Sequence, residues 1–514
     1  MALKILMLIV FFAVMVVVGI LAKRSVRTAN DFVLGGRNVG PWLTAFSYGT
    51  SYFSAVVFVG YAGQFGWKFG LSSTWIGLGN AFIGSLLAWV IMGRRTRVMT
   101  HHLQASTMPD YFGKRYQSNA LKIAASVITF IFLIPYTASV FNGLSGLFGL
   151  AFNIPYKVCV IAMAVLTGIY VILGGYLATA WNDLIQGVIM LGGIAAVVVA
   201  VLNGNGGFYQ AVKTLSEVES DVAVTLGQKG AFASFFGTDP INLVFVIILT
   251  SLGTWGLPQM IGKFYAIKNE KCIKTGAVIS TFFALVVAGG SYFLGGFGRL
   301  YADNPAIYKA DGSVAYDSIV PTMLSGIPDI LTGVVVVLVL SASMSTLSSL
   351  VLTSSSTITL DLIRGHVVKD MKDKTQLFWM RVFIVFFIVV SVVIALDPPA
   401  FIAQLMGISW GALAGAFLAP FLYGLYWKRV NKWAVWACFA AGVGITVSNM
   451  FFKYLGSPIV AGAVAMVAGL IIVPIVTMIT PRPDKDRVDE IFSCYDATST
   501  VTDSQYLPDL DEEA

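Results

Sequence analysis

Long uninterrupted apolar stretches, such as Ile5–Leu21 and Leu331–Leu340, alternate along the chain with short segments rich in Lys, Arg and Gly. A membrane-crossing helix needs about 20 apolar residues. Windows of that length predict thirteen helices, at 4–22, 41–66, 70–92, 120–150, 155–174, 176–201, 241–266, 275–298, 328–362, 377–396, 400–426, 432–452 and 457–479. Strands of a membrane barrel alternate in polarity over about 10 residues, a pattern the continuous runs do not follow. The first window is followed by Lys23 and Arg24 without an A-x-A cleavage pattern, so it is expected to be a retained helix.

Composition agrees with a polytopic, all-α membrane protein. The 514 residues are 57% hydrophobic and 11% charged, with a mean hydropathy of +0.81. A soluble domain carries about 25% charged residues, so this chain lacks the polar surface of a water-exposed globule. An outside amino terminus places six basic clusters in the cytoplasm: Lys23/Arg24/Arg27/Arg37, Arg94–Lys122, Lys263–Lys274, Arg364–Arg381, Lys428–Lys432 and Arg482–Arg487. Only Lys4, Lys68, Lys157, Lys213, Lys229, Arg299, Lys309 and Lys453 then lie outside. The positive-inside rule selects that orientation, and the net charge of +7 needs no nucleic-acid partner. The four cysteines form no CxxC pair, and His101 and His102 are expected in a solvated loop rather than a metal site. Outer loops are predicted at 202–240 and 299–327, and the segment after Thr480, ending in acidic Asp509–Ala514, reads as a solvated tail.

Polar groups at membrane depth must be paired or line a cavity, so function is sought where the apolar pattern fails. The second helix carries Leu43-Thr-Ala-Phe-Ser-Tyr-Gly-Thr-Ser-Tyr-Phe-Ser54, and the seventh carries Thr250-Ser-Leu-Gly-Thr-Trp-Gly-Leu-Pro258. If the first helix is set aside, each opens a five-helix group. Interrupted helices at matching places in two halves point to an inverted-repeat transporter, although small residues also serve plain helix packing. The ninth helix contains Ser341-Ala-Ser-Met-Ser-Thr-Leu-Ser-Ser349. Ser345, Ser348 and Ser349 fall on one face, and Ala342, Ser345 and Thr346 on an overlapping one. Hydroxyls and freed carbonyls are the hard oxygen donors that replace a small cation's water, while back-bonding to the preceding turn is the packing alternative.

Asp183 lies about seven residues, or ~10 Å, into its helix. A carboxylate there costs about 2.5 kcal/mol or more unless compensated. The windows place no Lys or Arg at comparable depth, so a bound cation or proton is the expected partner. Capping by backbone amides is the structural alternative.

Four segments resemble the sodium:solute symporter family, which includes the sodium/proline, sodium/glucose and sialic acid transporters. They are Asn30-Asp-Phe-Val-Leu-Gly-Gly-Arg37 leading on to Ser54, Ser106-Thr-Met-Pro-Asp-Tyr-Phe-Gly-Lys-Arg-Tyr116, Gly174-Gly-Tyr-Leu-Ala-Thr-Ala-Trp-Asn-Asp-Leu-Ile-Gln186, and Ala342-Ser-Met-Ser-Thr-Leu-Ser-Ser349. The third is similar to the GGxxAxxxTDxxQ signature, with Asn182 in place of Thr. The resemblance implies a LeuT-type fold with these parts: a leading helix and loop (1–40), a first five-helix repeat (41–201), an outer loop (202–240), a second repeat (241–426), two trailing helices (427–480) and a cytoplasmic tail (481–514). It further implies Na+ held by the carbonyls of Thr50, Phe53 and Ala342 with the hydroxyls of Ser345 and Thr346. Some members hold a second Na+ with the equivalents of Asp183, Ser345, Ser348 and Ser349. The implied alternatives are two sodium sites, or one site plus an Asp183 that attracts ions on entry.

Substrate positions carried over are Ser54, Val57, Tyr136 and Trp255. The chain departs from the proline branch at Tyr52, where an aspartate is usual, and at Val56, where a tryptophan is usual; another tryptophan of that branch, in the seventh helix, aligns with Thr250 or Trp255. Trp75 and Trp89 are expected to serve bundle packing.

The resulting expectation is a sodium-coupled symporter in the cell membrane, importing a small organic solute by alternating access. An amino acid or related compound leads, ahead of a sugar or monocarboxylate. A channel would need a continuous polar lining, and an enzyme would need a nucleophile–base or metal constellation, for which no histidine stands at membrane depth. A transporter-like sensor would keep the pocket without transport. The partners so implied are a small solute, the sodium ion and the lipid bilayer.

Overall fold

The computed structural model describes residues 2–23, 26–152, 155–368, 371–397 and 402–499, and among them it is almost wholly helical. Arg24, Lys369 and the acidic end Asp509–Ala514 lie outside the described residues. Among the described residues, eleven helices are long and apolar enough to cross a membrane, and Tyr156–Ile169 is apolar but shorter. Apolar side chains such as Val90, Ile131, Ile161, Val188 and Val389 point outward from the bundle. That is the surface a hydrocarbon solvent requires and water penalises.

The principal helices are α1 (Ala2–Lys23), α2 (Pro41–Tyr52), α3 (56–69), α4 (74–102), α5 (Asn119–Phe152), α6 (156–174), α7 (176–204), α8 (Pro240–Leu252), α9 (Pro258–Tyr265), α10 (Glu270–Gly295), α11 (Tyr316–Leu324), α12 (Asp329–Ser356), α13 (Asp373–Leu396), α14 (Ile402–Tyr426), α15 (Lys432–Phe452), α16 (Pro458–Ile479) and α17 (Lys485–Ser499). Helix starts follow local chemistry. Asp239, Asn269, Asn431 and Ser457 each accept a hydrogen bond from a first-turn amide, and Pro41 and Pro258 stand where a missing N–H is harmless.

Two interruptions shape the interior. α2 ends at Tyr52, Phe53 is extended (φ −95°, ψ 124°), and the chain resumes through a π-helical stretch, Val56–Tyr61. α8 ends at Leu252, passes through Gly253–Trp255 and an extended Leu257, and restarts at Pro258. Both were expected from the Gly, Pro and hydroxyl pattern. α6 and α7 run together except at Gly175, whose φ of +54° turns the chain between them. A Cβ there would also lie 2.7 Å from the Phe32 carbonyl oxygen, so glycine is required twice over.

α2 packs on α10, while α12 packs on the α6–α7 pair, which α1 flanks, and α14 packs on α5 and joins α15 and α16 to the bundle. The segments 202–240 and 299–327 are tied to the bundle through Arg299. Its guanidinium grips Asp221 through two bonds of 2.9 and 2.6 Å, and its Nε donates to the Trp67 carbonyl at 2.8 Å.

Two expectations need correction. His101 is buried at the end of α4 rather than loose in a loop, while His102 is exposed. The segment after Thr480 is not a plain solvated tail, because α17 buries Val488, Ile491 and Phe492. With Tyr495 they sit at i, i+3, i+4 and i+7, the spacing of one helix face. Tyr495 and Tyr426 both stack on the Arg95 guanidinium, at 4.6 and 4.1 Å.

Candidate ion and solute site

The break in α2 and the serine-rich turn of α12 face one another. At the end of α2 the last carbonyls have no amide ahead of them to accept from, so they are free for other partners. Ser345 Oγ lies 3.0 Å from the Thr50 carbonyl oxygen and 3.1 Å from that of Ala342. Thr346 Oγ1 lies 3.2 Å from the Phe53 carbonyl oxygen and 3.1 Å from that of Ala342. The contacts to Ala342 are the back-bonding expected of Ser and Thr in a helix. Those to Thr50 and Phe53 cross between helices and are not explained by it. Three carbonyl and two hydroxyl oxygens thus converge; the Ala342 carbonyl also takes its place in the α12 ladder, whereas those of Thr50 and Phe53 stand at the helix break. All five residues are fully buried. An enclosed oxygen cluster is suited to a bare monovalent cation.

The second expected set is arranged differently. Asp183 is fully buried, and its Oδ2 accepts a 2.6 Å bond from Ser47. Lys263 Nζ stands 3.9 Å from the same oxygen and donates to Ser349 Oγ at 3.0 Å, while Ser349 and Ser51 share a 2.8 Å hydroxyl contact. Ser348 bonds back to the Ser345 carbonyl at 2.8 Å instead of joining the group. This overturns the expectation that no basic residue reaches the depth of Asp183. Hydropathy puts Lys263 at the end of a span, among the cytoplasmic charges. In the fold, α9 restarts at Pro258 and the four-carbon stem turns inward, leaving the residue 3% exposed and its ammonium over the Tyr176 ring at 5.0 Å. At an effective dielectric of about 20, a pair 3.9 Å apart gains about 4 kcal/mol, which offsets part of the cost of about 2.5 kcal/mol or more that each of the two charges carries at membrane depth.

Next to the five-oxygen cluster stands an aromatic group. Tyr52 donates to the Thr250 carbonyl at 3.3 Å, which ties the two helix breaks together. Trp410 of α14 packs on Tyr52 and Tyr136, with ring centroids 6.0 and 5.9 Å apart. The Tyr136 hydroxyl lies beside Ser54 and the Trp410 indole N–H, all of them buried. Val57 is buried in the π-helical stretch that follows Ser54. Trp255 donates instead to the Ile83 carbonyl at 3.0 Å. Trp89 packs between Tyr48 and Phe264, and Trp75 against Phe235, as bundle residues. A cavity of about 590 Å3 opens elsewhere, near Trp67, Asp221 and Arg299.

Lys263, Ser47, Ser51 and Trp410 were missed in the sequence. The hydroxyls of Ser47 and Ser51 were legible as an i, i+4 pair on α2. Trp410 carried no signal, because only tertiary packing brings α14 to the breaks.

Residues 32–441 match the Sodium:solute symporter family, and the chain belongs to that family. It is 31% identical over 484 residues to the osmoregulated proline transporter OpuE of Bacillus subtilis, covering 93% of this chain and 94% of that protein. It is 28% identical over 449 residues to the sodium/proline symporter of Escherichia coli, covering 86% of each. The structure of a Na+-coupled sialic acid symporter in a substrate-bound, outward-open state superimposes with a TM-score of 0.74 at 17% identity, covering 94% of this chain and 98% of that one. Mhp1, a nucleobase-cation-symport-1 family transporter, gives 0.50 at 14% identity, with 90% and 98% covered. The all-α, multi-pass architecture is therefore that of this transporter fold, and the chain is a membrane transport protein.

Proposed function

We propose that the protein is a sodium-coupled importer of a small amino acid, with proline the first solute to test. The observation that carries the reading is the convergence of Thr50, Phe53, Ala342, Ser345 and Thr346 across the α2 break. Na+ bound there would join the first interrupted helix to α12 and steady the aromatic group beside it. Ser54, Val57 and Tyr136, packed there with Tyr52 and Trp410, are the residues we assign to solute binding. The Tyr136 hydroxyl and Trp410 N–H, which stand beside one another, are directional groups for a small polar solute, and the rings suit a compact apolar body. The proline transport named for the relatives supports this substrate class. Trp255, held by Ile83, borders the second break and is assigned to shaping it.

Two repeats, 41–201 and 241–426, would move against one another around the breaks. Because ion and solute stabilise one arrangement, each raises the other's affinity by the same factor. The reading places the chain in the cell membrane, with its amino terminus outside and carboxyl terminus in the cytoplasm. Uptake of radiolabelled proline into proteoliposomes, driven by an inward Na+ or K+ gradient, tests it, with unlabelled amino acids, sugars and carboxylates as competitors. Saturable accumulation with Na+ alone is expected; accumulation indifferent to the cation would refute sodium coupling.

A further inference from the structure

Asp183 meets three other elements at one point: Ser47 and Ser51 from α2, Ser349 from α12 and Lys263 from α9. This is the oxygen-rich setting in which a second monovalent cation was expected, but a positive charge already stands in it. The ammonium is 3.0 Å from Ser349 Oγ and 3.9 Å from Asp183 Oδ2, contacts that a cation in this cluster would itself make. Ser348, the remaining hydroxyl of the expected set, is committed to its own helix. The adjoining cavity, lined in part by Tyr176, Gln259, Lys263, Ser349 and Thr353, holds about 40 Å3.

We propose that Lys263 is a tethered cation that takes the place of a second sodium, so that the protein binds and carries one Na+ per solute. The inference rests on the sodium-symport reading above and extends it to stoichiometry. Lys263 touches neither the five-oxygen cluster nor the aromatic group in the contacts described, so it is a positioning residue. It neutralises Asp183 and, through Ser349 and Ser51, links α9 and α12 to the wall of α2. A fixed ammonium makes the Asp183 group electrically complete without an ion. Replacing it with a neutral side chain leaves a buried carboxylate with three nearby hydroxyls and an open position. That vacancy is a cation site.

Equilibrium binding of isotopic sodium to the purified full-length protein, with choline as the balancing salt, counts the ions directly and does not depend on transport. The wild type is expected to bind one Na+ per chain, Lys263→Met two, and Lys263→Met/Asp183→Asn one again. Lys263→Arg, which keeps the charge, should remain at one. Parallel flux of isotopic sodium and radiolabelled proline in proteoliposomes should give a ratio of one for the wild type. Two ions in the wild type, or one in a folded Lys263→Met, overturns the proposal while leaving sodium symport intact. If Lys263→Met cannot be purified, the wild-type count and flux ratio still decide: one upholds the proposal and two overturns it. Absence of sodium binding in every protein, with no sodium-stimulated uptake, would instead refute the parent reading.

Discussion

Ser345→Ala removes one hydroxyl from the five-oxygen cluster and leaves the backbone of α12 and the α2 break in place. The lost oxygen is the one within 3.0 Å of the Thr50 carbonyl and 3.1 Å of that of Ala342. Contacts between a charged group and a polar partner contribute about 1.5–3 kcal/mol. At about 1.4 kcal/mol per tenfold, sodium affinity should fall between roughly tenfold and a hundredfold. Initial rates of proline uptake into proteoliposomes, with NaCl varied against choline chloride at constant ionic strength, would show this as a rise in half-saturating sodium. A second readout needs no transport: the stabilisation that saturating Na+ confers on the purified protein should shrink by about 1.4 kcal/mol for each tenfold loss of affinity. Thr346→Ala should behave alike. Ser355→Ala, whose hydroxyl bonds back to the Leu352 carbonyl at 3.1 Å, should leave the sodium requirement unchanged. Half-saturating sodium equal to wild type in both Ser345→Ala and Thr346→Ala would refute the assignment of the ion to this cluster.

Other outcomes follow from packing and charge elsewhere. A Cβ at Gly66 would sit 1.9 Å from the Gly295 carbonyl oxygen, and one at Gly295 would sit 2.0 Å from that of Ala62. Either alanine substitution should therefore cost about 1–3 kcal/mol or more, seen as lost thermal stability and yield. Asp317, in the short helix α11 between two long apolar ones, is pushed up to about 6 by burial, against the opposing effect of the Ile402 N–H that donates to it. Its folded-state value is raised above the ordinary carboxylate value, so its ionisation opposes folding as pH rises through that interval. Asp317→Asn should match the wild type below pH 4 and become relatively more stable as pH passes 6, in melting curves taken across that range. Tyr495→Ala removes one of the two rings on Arg95, worth about 0.5–2 kcal/mol. Hydrogen exchange over 485–499 should accelerate if α17 is held there as described, and unchanged exchange would show that the ring does not anchor it.

Much of the architecture was written in the order of residues. The apolar runs set where helices lie, because a bilayer offers the backbone no partners and every span must satisfy its own hydrogen bonds. Gly253, Gly256, Pro258 and the hydroxyl run 43–54 marked both interruptions before any fold was considered. The stripe Ala342, Ser345, Thr346 could be seen from helical spacing, and its alignment with Thr50 and Phe53 came from family resemblance. Tertiary structure decided the charge at Asp183. A window of hydropathy assigns Lys263 to a span's end, but the restarted helix α9 aims its stem back into the bundle, and no local pattern carries that direction. Trp410 and the face of α17 were decided the same way, since a side chain's neighbour hundreds of residues away depends on how helices are laid together, not on the residues beside it.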